Sequence, residues 1–300
     1  MAGGQERILK RRIKSVQATK KITKAMELIA ASRIVKAMGR INDARPYLGA
    51  MTKVVEDLAA SAGLPKSTYL AEPLAGARGF LVIGSDRGLC GSFNSAALRL
   101  VEGSIKELAR HGGAFSLVTV GKKAQGFFRY RQIAIAHSVV GVTERPAYAH
   151  AQEIADAVLA MFDSGAATTI DVVTTRFYSS GLQKLEVIPL LPIEPEKFTK
   201  GLSGPALDFE VEPSPEEIID PLLRMYVAEV IFALLLEASA SEYAYRQRAM
   251  KSATENAEEL IKKYTRIMNR ARQDSITTEI MEIVGGAEAL RGAASSDELE

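Results

Sequence analysis

The stretch with the most chemical potential runs from Ser85 to Asn94 and reads Ser-Asp-Arg-Gly-Leu-Cys-Gly-Ser-Phe-Asn. It follows a short apolar run and precedes a helical pattern, which is where phosphate-binding loops lie in α/β folds. Its glycines match neither G-x-G-x-x-G nor G-x-x-x-x-G-K-[ST], and no lysine occupies the position that a P-loop requires. A tight turn that presents Arg87 at the surface is therefore favoured, and phosphate or nucleotide binding stays open as the alternative.

The other reactive side chains are few and scattered. Cys90 has no partner near it in the sequence, so we expect a small, half-buried residue and not a nucleophile. Asp86 and Asp171 are expected at the ends of strands and not as an acid–base pair. One cysteine and three scattered histidines give no metal-ligand spacing. The sequence thus predicts no catalytic residue, no metal site and no cofactor.

Alternating strand and helix patterns surround the Ser85–Asn94 loop and would position it. This alternation predicts a compact α/β domain with a mostly parallel sheet and right-handed crossovers, in which the last two strands form a hairpin at one edge. Asn94 or Ser92 would cap the first helix of the domain. The predicted strands are residues 79–84, 115–120, 132–140, 169–177 and 185–189, and the predicted helices are residues 94–110, 122–130 and 147–162.

The longest helical pattern begins at Ser214, beside two prolines, and is expected to reach Ala287, where Gly285 and Gly286 would end it. Roughly 70 residues at ~1.5 Å each span on the order of 100 Å, so one globular domain cannot cover this helix and a partner helix is required. Apolar residues at steps of three and four indicate a coiled-coil seam. The expected seam residues are Ile219, Leu223, Tyr226, Val230, Ala233, Ala253, Ala257, Leu260, Tyr264, Ile267 and Ala271.

A second helical pattern covers Gln5 to about Ala60, with a bend expected at Arg45-Pro46. Because the two long helices lie at opposite ends of the chain, they are expected to pair as an antiparallel coiled coil. The apolar groups of this helix are out of phase, so its contact face is expected to drift around the helix. These groups are Leu9, Ile13 and Val16, then Ile22, Met26 and Ile29, and finally Ile41, Ala44, Leu48, Met51, Val55 and Leu58.

The first long helix is strongly basic, although the whole chain has a net charge of only +2. Such an excess favours an acidic partner over a merely solvated face. Nucleic acid is a rival partner, but the basic stretch contains no aromatic residue for base stacking and no known DNA-binding motif. Against Glu27 and Asp43, the twelve basic residues are Arg7, Lys10, Arg11, Arg12, Lys14, Lys20, Lys21, Lys24, Arg33, Lys36, Arg40 and Arg45.

The sequence indicates neither a disulfide framework nor a membrane span. A single cysteine excludes internal disulfides and fits a reducing compartment. The first residues, MAGGQERILKRR, lack the apolar core of a signal peptide. The most apolar run, Val227 to Leu236, contains Glu229 and falls far short of the ~20 residues that cross a bilayer.

Three stretches, in order, resemble the gamma subunit of F-type ATP synthase: IKSVQATKKITKAM from Ile13, SDRGLCG from Ser85 and ITTEIMEIVGGA from Ile276. The resemblance covers nearly the whole chain. It implies an α/β fold in which a long antiparallel coiled coil of the N- and C-terminal helices carries an inserted Rossmann-like domain. It also implies a non-catalytic rotor shaft that couples rotation of a membrane ring to ATP synthesis or hydrolysis in the beta subunits.

The resemblance further implies the partners and the location. One copy per complex would contact the alpha and beta subunits of the catalytic head, the epsilon subunit and the membrane c-ring of a proton-translocating enzyme, with no nucleic acid. The protein would be peripheral, at the cytoplasmic face of a bacterial plasma membrane.

Residues that would contact the beta subunits lie in the basic first helix, the Ser85–Asn94 loop and the last helix. Lys24 and Met26 match the part of the first helix that would oppose the contact residues of the last helix. Beyond these contacts, an apolar row would turn in a bearing. The implied contacts are Lys20, Lys21, Lys24, Met26, Arg33, Arg87, Cys90, Arg272, Gln273, Thr277 and Glu279, and the bearing residues are Ile276, Ile280, Ile283 and Val284.

The expected domains are a coiled-coil helix over residues 1–62, an α/β domain over residues 63–200, and a linker with the second coiled-coil helix over residues 201–287. Residues 288–300 form a polar, acidic tail that is expected to be disordered. The alternative function is a phosphate- or nucleotide-binding α/β protein with coiled-coil arms.

Overall fold

The computed structural model describes residues 2–62, 64–71, 75–199 and 212–296. The expected linker therefore lies largely outside the described residues. The chain divides into two compact units, residues 1–27 with 250–300 and residues 28–249. The elements in chain order are α1 (Ala2–Ala62), a short 3-10 helix (Thr68–Leu70), β1 (Arg78–Ile83), α2 (Phe93–Arg110), β2 (Phe115–Val120), α3 (Lys122–Tyr130), β3 (His137–Val139), α4 (Tyr148–Asp163), β4 (Thr169–Phe177), β5 (Gln183–Leu191), α5 (Glu196–Thr199) and α6 (Pro215–Ser296).

The second unit contains a five-stranded sheet with the order β3-β2-β1-β4-β5. Strand β1 is central and pairs in parallel with β2 and β4, while β2 pairs in parallel with β3. Strand β5 pairs with β4 in the antiparallel direction and forms one edge of the sheet. The predicted mostly parallel sheet with an edge hairpin is confirmed.

Two apolar cores cover the two faces of this sheet. Helices α2 and α3 pack on one face, around Phe80, Val101 and Phe128. Helix α4 and the long helices α1 and α6 pack on the other face, with Val55 and Ile219 fully buried. A parallel sheet needs cover on both faces because its strands are apolar on both sides. The long helices thus share with α4 the cover of one face of the sheet.

One predicted strand is much shorter than expected. The run 132–140 was assigned to a strand, but only His137–Val139 pairs with β2. Gln132 has a φ of 57°, and the amide of Ile133 donates to the carbonyl of Phe128. These residues close the end of α3 as a turn, so apolar content alone did not locate the start of the strand.

The least exposed side chains of α1 follow one heptad register, and the expected drift of its contact face is wrong. Thr23, Ala30 and Ile34 lie in the same series of three- and four-residue steps as Leu9 and Val55. Ile22 and Ile29, by contrast, are about 60% exposed (61% and 59%). Some seam positions, such as Thr23, are occupied by polar residues. A prediction based on apolar residues alone therefore missed this register.

Half of the predicted seam positions of α6 in the first unit are wrong by one residue. Ala257, Tyr264 and Ala271 lie in the seam as predicted, but Leu260 and Ile267 are exposed. The remaining seam positions are Thr254, Ile261, Met268 and Ser275. The Thr254 hydroxyl donates to the Thr23 hydroxyl at 2.8 Å, and the Lys20 amine lies 3.3 Å from the Glu258 carboxylate. Residue numbers rise along one helix as they fall along the other, so the antiparallel coil is confirmed.

Helix α6 begins as predicted but does not end as predicted. The Ser214 hydroxyl accepts a hydrogen bond from the amide of Glu217 at 3.3 Å, which is the geometry of an N-cap. At the other end the helix passes through Gly285 and Gly286 and continues to Ser296. The expected stop at Gly285-Gly286 is therefore wrong, and residues 297–300 lie outside the described residues. No helix in the described parts of the chain is apolar enough over a sufficient length to cross a membrane.

Polar contacts tie the part of α6 that lies in the second unit to the sheet domain. The guanidinium of Arg224 donates to Asp163 at 2.8 Å and to the Tyr69 hydroxyl at 2.6 Å. Further along, Arg176 at the end of β4 pairs with Glu237. Because these contacts join α6 to the 3-10 segment, to α4 and to β4, the helix and the domain form one structural body within the second unit.

Glu229 gives a test of the packing around α6. Its side chain is only 2% exposed, it has no side-chain hydrogen bond or ion pair among the described residues, and burial raises its pKa. Because the pKa is raised in the folded state, the carboxyl costs no stability below the unfolded pKa and costs increasingly more as the pH rises toward the folded pKa. Replacing Glu229 by Gln should therefore stabilise the chain relative to the wild type, and the gain should be larger at pH 8 than at pH 5.

Thermal unfolding of both proteins at the two pH values measures this gain, which mutational data on buried polar groups place at about 1–3 kcal/mol. The exposed Glu107→Gln variant is the control and should change stability little at either pH. If the difference in stability between the wild type and Glu229→Gln were the same at both pH values, the folded state would not raise the pKa of this carboxyl.

Candidate functional site

The Ser85–Asn94 loop starts where β1 ends, and its first residues are held by buried hydrogen bonds. The Ser85 amide donates to the Asn94 side-chain carbonyl at 2.9 Å, and the Ser85 hydroxyl donates to the Arg87 carbonyl at 2.6 Å. The Asn94 amide group donates back to the Ser85 hydroxyl at 2.7 Å. Asn94 thus braces the loop and does not cap α2, while Ser92 occupies the N-cap position without a side-chain capping bond.

The loop makes close backbone contacts that exclude larger residues. A Cβ on Gly121, which has a φ of 94°, would lie 2.8 Å from the Ser85 carbonyl carbon. Leu89 also has a positive φ, 62°, although it carries a side chain, and that side chain is exposed. Such a conformation costs about 1–3 kcal/mol and persists only where the surroundings enforce it. The loop therefore has one enforced shape, which directs Arg87 and Leu89 outward.

Asp86 fastens this loop to the loop between β3 and α4. Its carboxylate accepts hydrogen bonds from the amides of Gly141, Thr143 and Lys122, at 2.8, 3.0 and 3.0 Å, and from the Thr143 hydroxyl at 3.0 Å. Burial alone would raise the pKa of Asp86, but these donors outweigh it and hold the pKa below its usual value. A carboxylate that is ionised at neutral pH and engaged by four donors braces the fold and is not placed for acid–base chemistry.

Arg87 projects from the loop as expected. Its side chain is 74% exposed, and its Nε lies 2.5 Å from a carboxylate oxygen of Glu144, on the neighbouring loop. The Glu144 carbonyl accepts a hydrogen bond from the Tyr243 hydroxyl of α6 at 3.2 Å. The predicted surface cation is therefore present, but it carries an internal counter-charge that sequence reasoning did not find.

A short stretch of α6 packs against the Ser85–Asn94 loop and the loop between β3 and α4. Arg246 donates to Glu242 at 2.5 Å and to the Gly88 carbonyl at 3.2 Å. The two charged side chains are 8% and 1% exposed. Burial raises the pKa of Glu242, and the charge of Arg246 opposes that shift. The ring of Tyr245 packs edge-on against Phe93 at 5.9 Å. The Arg87 loop thus rests on a buried ion pair of α6.

Cys90 lies beneath this loop and supports it from inside. The residue is 2% exposed, more buried than expected. Burial, aided by the negative charge of Glu242, raises the pKa of its thiol, so the thiol stays protonated near neutral pH. Its side chain therefore has no surface for a partner, and any contact of Cys90 with a beta subunit would be made by backbone atoms. Among the described residues no cluster of His, Cys, Asp or Glu is suited to hold a metal ion.

One hollow in this unit, of about 670 Å³, does not lie at the loop. It is lined by the ion-paired Arg78 and Asp171 and by Pro189 and Leu191, among others. These residues lie where β1 and β4 begin, whereas α/β folds bind nucleotides where the parallel strands end. The position of this hollow therefore gives no support to the nucleotide-binding alternative.

The basic residues of α1 have different surroundings. In the first unit Lys20 pairs with Glu258 across the coil, and Lys24 pairs with Glu27 on its own helix at 3.1 Å. Lys21 is exposed, and Met26 is half-buried. In the second unit Arg33 is exposed. Lys20 thus has a role within the coil, while Lys21, Lys24 and Arg33 present charge to the surroundings.

The last turns of α6 extend past the start of α1. Gln5 lines a shallow hollow together with Ile267, Ala271 and Thr278, and every described side chain from Ile276 to Ala287 is exposed. The predicted contact residues lie on this stretch and are exposed as well. Within it the Thr277 hydroxyl donates to the Gln273 carbonyl at 3.0 Å, and Ser275 lies 3.5 Å from Glu279. The exposed contact residues are Arg272, Gln273, Thr277 and Glu279, and the exposed apolar residues are Ile276, Ile280, Met281, Ile283 and Val284.

The register of the coil corrects one expectation. Lys24 and Met26 were expected to oppose the contact residues of the last helix. Thr23 instead faces Thr254, and it is Gln5 that lies beside the 267–278 stretch. At 1.5 Å per residue, the roughly 20 residues between these levels separate them by about 30 Å. The two groups therefore belong to different levels of the coil.

The comparisons with known proteins agree with this architecture. A family model described as ATP synthase matches residues 5–290. The ATP synthase gamma chain of Frankia casuarinae is 47% identical over 294 residues, covering 96% of this chain and 98% of that one. The gamma chain of Mycolicibacterium smegmatis is 42% identical, with coverage of 96% and 98%.

Solved structures are also similar. The central stalk and c-ring structure of the Tetrahymena thermophila mitochondrial ATP synthase contains a chain that is 26% identical, with a TM-score of 0.57 and coverage of 77% and 99%. A chain in a Euglena gracilis ATP synthase structure shares the fold, at 17% identity, a TM-score of 0.68 and coverage of 97% and 96%. This protein belongs to the ATP synthase gamma chain family.

Proposed function

We propose that the chain is the central rotor shaft of a proton-translocating F-type ATP synthase. It is not catalytic by itself. It couples rotation of the membrane c-ring to conformational change, and hence to ATP synthesis or hydrolysis, in the beta subunits. One copy acts with the alpha, beta and epsilon subunits and the c-ring, as a peripheral protein at the cytoplasmic face of a bacterial plasma membrane.

The observation that carries this proposal is the unpartnered end of α6. Toward its C-terminal end α6 extends past its pairing with α1, and every described side chain from Ile276 to Ala287, the isoleucines included, is exposed in the isolated chain. A contiguous exposed apolar row marks a surface that another protein covers. An apolar sleeve formed by the catalytic head around Ile276, Ile280, Ile283 and Val284 fits this surface.

The polar contacts with the beta subunits are assigned to polar and charged side chains that are exposed in the isolated chain. In the first unit these are Lys21, Lys24 and, near the end of α6, Arg272, Gln273, Thr277 and Glu279. In the second unit they are Arg33 and Arg87. Lys20 and Met26 complete the set, with Lys20 shared between the coil and the partner. Ile22 and Ile29, which the seam leaves exposed, add apolar area beside the basic residues.

Charge reversal at the exposed basic residues of α1 tests this assignment. One exposed ion pair is worth about 0–1 kcal/mol, so a single change should have little effect. Changing Lys21, Lys24 and Arg33 together to Glu should lower the protons pumped per ATP hydrolysed by roughly threefold to tenfold in membranes that contain the assembled enzyme. The isolated variant should keep its helical content, because none of these residues has a counter-charge across the coil.

The matched control changes Arg99, Arg110 and Arg129 to Glu, three exposed basic residues on the α2 and α3 side of the sheet domain. This variant has the same change in net charge and should leave coupling near the wild-type value. The assignment is wrong if both variants lower coupling equally, or if the α1 variant melts the coil and spares coupling in the enzyme that still assembles.

A further inference from the structure

Arg87, the most exposed charge of the loop, is already paired within the chain. Its Nε lies 2.5 Å from a carboxylate oxygen of Glu144, while most of its side chain remains in solvent. A guanidinium has five N–H donors, so an ion pair on one side leaves others available. A carboxylate of a partner can therefore approach Arg87 before the guanidinium leaves Glu144.

The position of Glu144 is fixed by the fold. Thr143, the preceding residue, is bound through its amide and its hydroxyl to Asp86, and the Glu144 carbonyl is bound by the Tyr243 hydroxyl. The backbone at Arg87 is held in the same way. The Arg87 carbonyl accepts a hydrogen bond from the Ser85 hydroxyl, and the Gly88 carbonyl accepts one from the Arg246 guanidinium. Both charges thus sit on loops that are anchored to each other and to α6, and the pair exists before any partner binds.

Charges of both signs lie near this pair, and the amine of Lys123 lies beside Gly88. The carboxylates of Glu144 and Asp86 are near enough to Glu242 to raise its pKa further, with Arg246 as the buried counter-charge. An acidic segment that approaches Arg87 therefore meets repulsion from Glu144 as well as attraction from the guanidinium.

We propose that Glu144 is an internal competitor for Arg87 that weakens the contact between Arg87 and an acidic segment of its partner. This inference rests on the proposed function, in which Arg87 binds carboxylates of a beta subunit. When the partner moves away, Glu144 takes the guanidinium back, so Arg87 is paired in both states. As the shaft turns, Arg87 then exchanges its ion pair with Glu144 for one with the partner, and back again. Neither pair is strong enough to hold the shaft at one angle.

The competitor can be tested on the full isolated chain with a blocked synthetic peptide of alternating Asp, Glu and Gly as the probe. The Nε–H signal of Arg87, observed by NMR during titration with the peptide, gives the dissociation constant. Glu144→Gln should bind the peptide about twofold to fivefold more tightly than the wild type, the range that one exposed pair allows. Glu144→Asp, which keeps the charge, should bind close to the wild-type affinity.

Two further variants separate the possible failures. Glu107→Gln removes an exposed acid elsewhere on the domain and should leave the affinity unchanged. Arg87→Gln should weaken binding of the peptide at least as much as Glu144→Gln strengthens it, as judged by chemical shifts of the neighbouring loop amides. Equal affinities of Glu144→Gln and wild type, with Arg87→Gln weakened, would overturn the competitor and leave the proposed contact standing. No loss in Arg87→Gln would overturn both.

Discussion

Replacing Arg246 by Ala is expected to lower the free energy of unfolding of the isolated chain by about 3–5 kcal/mol, because Glu242 would remain buried without its counter-charge. Both side chains are almost inaccessible, and Arg246 also supplies the donor for the Gly88 carbonyl. Chemical denaturation followed by circular dichroism measures the loss. The deficit should shrink at low pH, since protonation of Glu242 removes the unpaired charge.

Arg248 provides the matched control, because it lies one half-turn away on the same helix and is exposed. Its guanidinium stacks over Tyr245 at 4.6 Å and reaches the Ser180 carbonyl at 3.5 Å, so Arg248→Ala should cost only about 1 kcal/mol. If Arg246→Ala were no more destabilised than Arg248→Ala, the ion pair would not support the loop.

A double variant separates the buried charge from the support of the loop. Glu242→Leu combined with Arg246→Met removes both charges and fills similar volume, so stability should return to within about 1 kcal/mol of the wild type. The Gly88 carbonyl still lacks its donor in this variant. Loop amides near Gly88 should therefore exchange with solvent faster than in the wild type, although the global stability is the same.

Most helices and strands could be predicted from the sequence, because each type of element has its own local period of apolar residues. Strand β2 and helix α3 were placed at the correct residues, and the edge hairpin was found. The seams were harder, since Thr23 and Thr254 satisfy each other's hydroxyl groups in the coil and so occupy positions that an apolar pattern passes over. A reading based on apolar residues then selected Leu260 and Ile267, one position away.

The site was only half readable. The Ser85–Asn94 loop was recognised from its glycines and its place after β1. Glu144 and Arg246 were missed because their partners in the loop are far away in the chain: Arg246 lies 158 residues from Gly88. Glu242, the counter-charge of Arg246, was missed with it. The one local signal was a Glu and an Arg four residues apart within an otherwise apolar stretch of α6, which indicates a buried pair.

The end of α6 shows that a pair of glycines does not always end a helix. Gly285 and Gly286 were expected to stop the helix, yet it continues through them. Two glycines in a helix cost about 2 kcal/mol relative to alanine, and the residues that follow, Ala-Glu-Ala-Leu-Arg, are strong helix formers. Neither glycine would meet another atom within 4 Å if it carried a Cβ, so no close packing explains their presence in this chain.

The second large effect is expected at this same end when the enzyme assembles. In the isolated chain, amides from Glu279 to Val284 should exchange rapidly, because a helix end without tertiary contacts opens at a cost near zero. Once the apolar row enters its sleeve, their exchange should slow by on the order of a hundredfold or more, since burial of several isoleucines contributes about 1.5–3 kcal/mol each. Hydrogen exchange followed by mass spectrometry on the free and the assembled protein measures this change.

Thr254 to Ala257 serves as the internal control, because this segment is buried against α1 and should be protected in both states. A variant with Ile276, Ile280 and Ile283 changed to Ser should unfold much like the wild type in isolation, since these residues are 49%, 54% and 72% exposed there, but it should lose the slowing on assembly. Equal and strong protection of Glu279 to Val284 in both states would mean that the tip packs within its own chain. The bearing would then have to be abandoned, because an apolar row that is already covered leaves no surface for a sleeve to hold.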